Sequence, residues 1–216
     1  MRPVSAKLPQ TPPEGPVPNP KATKILEAAR EVFLEHGFTD ATSDMIQQAA
    51  GVSKATVYAH FANKEALFIA AIEYQCNRFL AQLRQAAFTQ SHIRDTLTQI
   101  GQTYLAMGLS PVGLATVRVV TAAAPRFPEL ARTFYMAGPR VVCDIISQHL
   151  SAAAKRGEID ISSIGPETAA NQFFSLVRGE GQLECMMHPQ SRPSAAQLDY
   201  WTRTAVDTFM RAYGPR

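Results

Sequence analysis

The sequence predicts an all-α fold of about nine helices. Along most of the chain, apolar residues recur at steps of three and four, the spacing of the buried face of an amphipathic helix. Ser, Thr and Asn stand where helices would begin, and Gly or Pro stands where they would end. No alternation of polar and apolar residues is long enough to predict a strand.

Three helices are predicted in the first sixty or so residues. The first covers residues 21–36, and Gly37 suits the left-handed backbone with which helices often end. Thr42–Ser43 offers an N-cap for a short second helix that ends at Gly51, and Ser53 offers one for the third. The second and third helices are therefore joined by a tight turn.

The remaining helices are longer. Asn63 caps a helix whose apolar stripe continues to about Ala87. About five more helices, among them 166–187 and 194–213, are separated by glycine and proline. These breaks are predicted at Ser110–Pro111, Pro125–Pro128, Gly157, Gly165–Pro166 and Pro189–Pro193.

Composition excludes several classes of protein. No apolar run approaches the roughly 18 residues of a membrane-spanning helix, so we expect no membrane partner. Residues 1–20 lack the apolar core of a secretory signal and contain seven prolines, which predicts a disordered arm and a cytoplasmic protein. Arg2 and Lys7 could lie in a minor groove of DNA, but a tail that binds nothing is the favoured interpretation.

Catalytic and metal motifs are not evident in the sequence. It has no H-E-x-x-H, G-x-S-x-G or phosphate-binding glycine loop, so we expect neither an enzyme nor a cofactor. Glu180, Glu184 and His188 fall at steps of four and could hold a metal, but a solvated helix face is the favoured interpretation. The cysteines are too far apart for a zinc motif and receive no role. They are Cys76, Cys143 and Cys185.

A helix, a turn containing glycine and a second helix form the layout of a DNA-binding helix-turn-helix. Residues 42–67 resemble the N-terminal signature of the tetracycline-repressor (TetR) family. The A-G-V-S turn at 50–53, Y-x-H-F at 58–61 and N-K-E-x-L at 63–67 stand at the family's spacing. Gln47 departs from the alanine usual in the family, which affects packing between the helices.

The resemblance implies a dimeric regulator, usually a repressor, that releases operator DNA when it binds a small effector. Hydroxyl and imidazole groups at helix ends would contact phosphates, as would the lysine that begins the fourth helix. Those phosphate contacts are expected from Thr42, Ser43, Tyr58, His60 and Lys64. Base contacts are expected from Lys54, Ala55 and Thr56.

The resemblance also divides the chain. It implies a helix-turn-helix domain over 21–66 after the arm, and a helical effector-binding and dimerisation domain over 67–216. Residues 125–130, with Phe134–Tyr135 and Gly138–Pro139, are similar to AefR-like regulators. An apolar effector pocket is expected, with a solid core as the alternative. Its predicted lining is Phe79, Leu83, Ile100, Tyr104, Met107, Phe134 and Phe173, with Tyr104, Gln172 or Arg178 as polar contacts.

A homodimer is expected because one short recognition helix reads too few bases. Apolar stripes on the last two helices predict the interface, although packing within one protomer is the favoured interpretation for any single residue. The predicted residues are Phe174, Val177, Leu198, Trp201, Ala205 and Phe209. A transcriptional activator or an effector-independent regulator remains open, and a helical enzyme or a protein-only adaptor is a more distant alternative.

Overall fold

The computed structural model describes residues 19–87, 92–190 and 192–215, and these residues form α-helices without a strand. The predicted all-α fold is confirmed. Residues 1–18 of the predicted arm, with Arg2 and Lys7, lie outside the described residues. The helices are α1 (Pro20–Asp40), α2 (Ser43–Ala50), α3 (Lys54–His60), α4 (Lys64–Ala87), α5 (Ile93–Gly108), α6 (Pro111–Ala123), α7 (Pro128–Ala137), α8 (Pro139–Lys155), α9 (Gly165–Met187) and α10 (Ala195–Tyr213).

Side-chain caps begin the first four helices. Thr42 Oγ1 accepts a hydrogen bond from the Met45 N–H at 3.2 Å, and Ser53 Oγ accepts one from the Thr56 N–H at 3.1 Å. Asn63 Oδ1 accepts one from the Ala66 N–H at 2.7 Å, so the three predicted N-caps are confirmed. Asn19 caps α1 and Pro20 is its first residue, so the first helix begins one residue before its predicted start.

Two glycines interrupt helices, and the breaks at Gly138 and Gly179 were not predicted. Gly37 in α1 has φ +76° and Gly179 in α9 has φ +38°, both in the left-handed region that favours glycine. The unpredicted break at Gly138 separates α7 from α8, which accounts for a tenth helix. Pro139 begins α8, where its missing N–H would have had no helical partner.

Two hydrophobic cores are joined by α4. The N-terminal core contains α1, α2, α3 and the first half of α4, together with Val120, Ala123 and Leu130 from α6 and α7. The C-terminal core contains the second half of α4 with α5, α8, α9 and α10. Leu67 lies in the first core and Leu83 in the second, so one continuous helix belongs to both units.

An aromatic cluster fixes the N-terminal unit to the rest of the chain. Phe33, Phe38 and Phe68 pack with ring centroids 4.9 to 6.0 Å apart. Phe127, in the turn before α7, packs edge-on against Phe38 at 4.6 Å. Since such aromatic contacts add to the free energy of burial, the cluster orients α1 and α4 against the turn between α6 and α7.

No single described helix is long and apolar enough to cross a membrane. Taken together, α5 and α6 have the length and apolar composition of a membrane-spanning segment, but the chain bends by 71° between them.

Candidate DNA-binding surface and internal cavity

The turn between α2 and α3 has the geometry of a helix-turn-helix. Gly51 ends α2 at φ 60° and ψ 40°, and its N–H bonds to the carbonyls of Gln47 and Gln48. A side chain at this backbone conformation would be strained, which explains the glycine. Ile46 on α2 and Val57 on α3 are buried at 0% and 2% exposure, so the inner faces of both helices are packed.

The outer face of α3 is open to solvent. It carries a lysine, a tyrosine and a histidine within two helical turns, with small residues between them. Its exposed residues are Lys54, Ala55, Tyr58, Ala59 and His60, while Thr56 is half-buried. A short helix with this composition fits the width of a major groove.

Two of the predicted phosphate-binding residues meet at the N-terminus of α2. The hydroxyls of Ser43 and Tyr58 lie 3.0 Å apart, which brings α3 to the first turn of α2. The first N–H groups of a helix have no helical acceptor and create a partial positive charge. An anion at this corner would therefore meet two hydroxyls and the helix terminus together.

Lys54 forms an ion pair with a neighbour on α2. Its Nζ lies 3.0 Å from Asp44 Oδ1, and the carboxylate raises the pKa of Lys54. Both side chains are more than half exposed, so solvent weakens the pair. The ammonium group therefore remains available to a more concentrated negative charge.

Lys64, for which a phosphate contact is predicted, is bonded to backbone carbonyls of this chain. Its Nζ donates hydrogen bonds to the carbonyls of Thr39 at 3.1 Å and Ala41 at 3.0 Å. It also lies 4.9 Å from the ring centroid of Phe38. These carbonyls follow the break at Gly37, so Lys64 joins the end of α1 to the start of α4.

A cavity of about 290 Å³ lies among α4, α5, α6, α7, α8 and α9. Four of the residues predicted to line a pocket contact it, namely Phe79, Tyr104, Met107 and Phe134. The other three, Leu83, Ile100 and Phe173, are at most 1% exposed and belong to the C-terminal core instead. These three side chains pack against other helices in the core. A sequence pattern does not distinguish such a packed helix face from one that lines a cavity.

The polar residues of the cavity converge on one amide. Gln182 Oε1 accepts hydrogen bonds from Arg178 Nε at 2.9 Å and from the Tyr104 hydroxyl at 3.3 Å. Burial raises the pKa of Tyr104. Gln182 was missed by the sequence analysis, although it stands four residues after Arg178 on α9. The third predicted polar residue, Gln172, lies outside the cavity and accepts a hydrogen bond from Tyr213.

The residues predicted for a dimer interface pack within the protomer. Four of them are no more than 5% exposed: Phe174, Val177, Ala205 and Phe209. Leu198 and Trp201 are half-buried against the same C-terminal core. The exposed apolar side chains of α9 and α10 are instead Leu176, Leu183, Met187 and Tyr200. The more apolar stripe of each helix is used by the core, as the favoured interpretation for each single residue predicted.

The remaining candidates form no metal site in the described residues. No group of three or more His, Cys, Asp or Glu side chains there could hold an ion. His188 contacts the backbone carbonyl of Glu184, at 3.2 Å, rather than its carboxylate. Cys76, Cys143 and Cys185 are buried and unbridged, and burial raises the pKa of Cys76 to about 12.

Family models match both units of the chain. The model for bacterial regulatory proteins of the tetR family matches residues 25–71, and that for the C-terminal domain of AefR-like transcriptional repressors matches residues 95–215. The chain is 32% identical over 142 residues to the HTH-type transcriptional regulator UidR of Escherichia coli. That alignment covers 65% of this chain and 69% of UidR.

Solved structures resemble the chain over most of its length. The flavonoid-responsive regulator FrrA is 33% identical, with a TM-score of 0.72, over 91% of this chain and 98% of FrrA. A protein from Mesorhizobium loti, described as a TetR-family transcriptional regulator, has a TM-score of 0.84 and 25% identity. That similarity covers 90% of this chain and 97% of the Mesorhizobium protein.

Proposed function

Because the chain belongs to the TetR family of bacterial regulatory proteins, we propose that it is a homodimeric repressor whose operator is released when a small molecule fills the cavity. The family consists of helix-turn-helix transcriptional regulators and is not a family of enzymes. One observation carries the proposal: α3 is packed through Val57, while Lys54, Tyr58 and His60 on the same short helix are exposed.

In the proposed complex, α3 enters the major groove and the N-terminus of α2 lies against the DNA backbone. Lys54, Ala55 and Thr56 at the start of α3 reach the bases. Ser43 and Tyr58 bind one phosphate, which their 3.0 Å separation supports. Phosphate contacts of this kind fix the register of the protein on DNA, whereas base contacts select the sequence.

The proposed dimer uses the outer faces of α9 and α10. Leu176, Leu183 and Met187 expose apolar surface along α9, and Tyr200 does so on α10. Apolar side chains exposed together on two long helices favour a two-fold helical interface. Two recognition helices about 34 Å apart would then meet two successive major grooves.

The proposed switch follows from the position of the cavity. Gln75, Cys76 and Phe79 of α4 line it, and the first half of the same helix packs in the N-terminal core. An effector that binds more tightly to the form with misplaced recognition helices shifts the population away from DNA. The name of FrrA, a flavonoid-responsive regulator, supports a small-molecule response.

Fluorescence anisotropy with DNA from the gene's own upstream region tests the proposal. The dimer should bind this DNA more tightly than scrambled DNA, and binding should weaken with salt. Tyr58→Phe removes one hydroxyl per protomer and should weaken binding roughly 5- to 100-fold, at about 0.5–1.5 kcal/mol for each hydrogen bond. Tyr135→Phe, which changes an exposed tyrosine on α7, is the matched control. Absence of DNA binding at every salt concentration would refute the proposal.

A further inference from the structure

The cavity is apolar apart from a few groups, and its charge is concentrated at one position. Among the described residues that line it, Arg178 is the charged one. The side chain of Arg178 is exposed although it lines the cavity, so it stands where the cavity opens to solvent. A ligand entering there would meet a positive charge before an apolar interior.

No carboxylate of the described residues neutralises this arginine. None of the ion pairs formed by the described residues includes it. Asp144, on the neighbouring helix α8, is paired with Arg140 at 3.2 Å. Burial raises the pKa of Tyr104, and the nearby charge of Arg178 opposes that rise.

The hydrogen bonds at the Arg178 end of the cavity do not use every donor group there. Arg178 only donates, so the atom of Gln182 that it contacts is the carbonyl oxygen, and the Gln182 NH₂ is directed elsewhere. The Tyr104 hydroxyl donates to the same oxygen. One guanidinium N–H of the five is used in this way. The remaining guanidinium donors and the NH₂ group call for an acceptor such as a carboxylate.

The guanidinium is also held in place. Its centre lies 5.4 Å from the ring centroid of Phe174, which supports it by a cation–π contact. The Nε bond to Gln182 fixes the orientation of its plane. Because an ordered guanidinium loses less conformational entropy on binding, the site is prepared for a ligand.

The volume limits the size of the ligand. At about 290 Å³ the cavity has roughly twice the volume of the ~150 Å³ cavity that admits benzene. It has room for one ring with a short chain, or for two small rings. Phe79, Met107 and Phe134 supply an apolar wall for such a body.

We propose that the cavity binds a small organic acid, with its apolar body inside and its carboxylate on Arg178 and the Gln182 amide at the opening. This assignment rests on the proposed function, since it names the effector class of the same cavity. Anions bind there, whereas neutral and cationic molecules of the same shape bind weakly.

Isothermal titration calorimetry of the full chain with three matched probes tests this specificity. The probes are phenylpropionate, phenylpropanamide and phenylpropylamine, which share one apolar body and differ in the charge of its end. Phenylpropionate should bind at least about tenfold more tightly than the amide, and the amine should bind most weakly. An amide that binds as tightly as the acid, or failure of all three probes to bind, would overturn the proposal.

Substitutions at the opening locate the preference. Arg178→Met should abolish the difference between acid and amide, and Arg178→Lys should retain part of it because the charge remains without the planar fork. Arg211→Met is the matched control, since Arg211 is exposed on α10 and does not line the cavity. A preference for the acid that survives Arg178→Met would refute the role of this residue.

DNA release is measured separately so that the two proposals can fail independently. If phenylpropionate binds through Arg178 but leaves the operator complex intact, the acid site stands and the proposed switch is wrong. If a neutral compound releases the operator equally well from wild type and Arg178→Met, the switch stands and the acid site is wrong.

Discussion

Loss of charge should have different effects at Lys54, the first residue of the recognition helix, and at Lys64, the first residue of α4. Lys54 is exposed, and Asp44 is its partner on the surface. Lys64 is half-buried and donates to two backbone carbonyls. We predict that Lys54→Met weakens DNA binding without changing stability, and that Lys64→Met lowers the free energy of unfolding.

The expected magnitudes follow from these contacts. Each phosphate neutralised contributes about 0.9 to the slope of log K against log salt concentration, so the two copies of Lys54 in a dimer contribute about 1.8. Loss of Lys64 removes two charge-assisted hydrogen bonds and a cation–π contact with Phe38. We therefore expect a destabilisation of about 1–3 kcal/mol.

Anisotropy over a salt series and urea denaturation followed by circular dichroism measure the two effects. Lys155→Met, at an exposed position on α8, is the control and should change neither quantity. If Lys64→Met reduced the salt slope as much as Lys54→Met and left the urea midpoint unchanged, the expectation that Lys64 binds backbone carbonyls instead of DNA would be refuted.

Three further substitutions test single features of the fold and the DNA-binding surface. Gly179→Ala should destabilise the protein by about 1 kcal/mol in urea denaturation, because φ is +38° although no atom lies within 4 Å of the added Cβ. The hydrogen bond from the Ile93 N–H lowers the pKa of Glu158 below its ordinary 4.5. The ionised carboxylate therefore stabilises the fold above pH 4.5, and this stabilisation is lost as the pH falls through the lowered pKa. Glu158→Gln should therefore lower the urea midpoint near neutral pH and leave it unchanged in strong acid. Asp44→Asn should tighten DNA binding in anisotropy titrations, because it removes the carboxylate that competes with phosphate for Lys54.

The helix-turn-helix could be predicted closely because its determinants are local. Thr42, Ser53 and Asn63 cap helices through contacts three residues away, and Gly51 is demanded by the backbone of its own turn. Lys64 could not be predicted in the same way. Its acceptors become available only because α1 is broken at Gly37 and its end lies beside α4.

The C-terminal half shows where helical periodicity stops being informative. Periodicity identifies the apolar stripe of a helix but not the element that covers it. Phe79 lines the cavity, whereas Phe173 is sealed in the core. The same limit left Phe209 open between the core and a dimer interface, because a core stripe and an interface stripe have the same period. Only the packing of α10 on the other helices separates the two cases.

In the proposed switch, one route between the cavity and the recognition helix runs through α4, which contacts the N-terminal unit. Gln75 lines the cavity, and its Oε1 accepts a hydrogen bond from Arg30 of α1 at 3.3 Å. Arg30 also pairs with Glu31 at 3.3 Å, while its Nε is buried without a hydrogen-bond partner among the described residues. A ligand that draws the Gln75 amide toward itself would remove one of the few bonds that Arg30 has. Loss of that bond would weaken the contact between α1 and α4, and α2 and α3 pack directly or indirectly on α1.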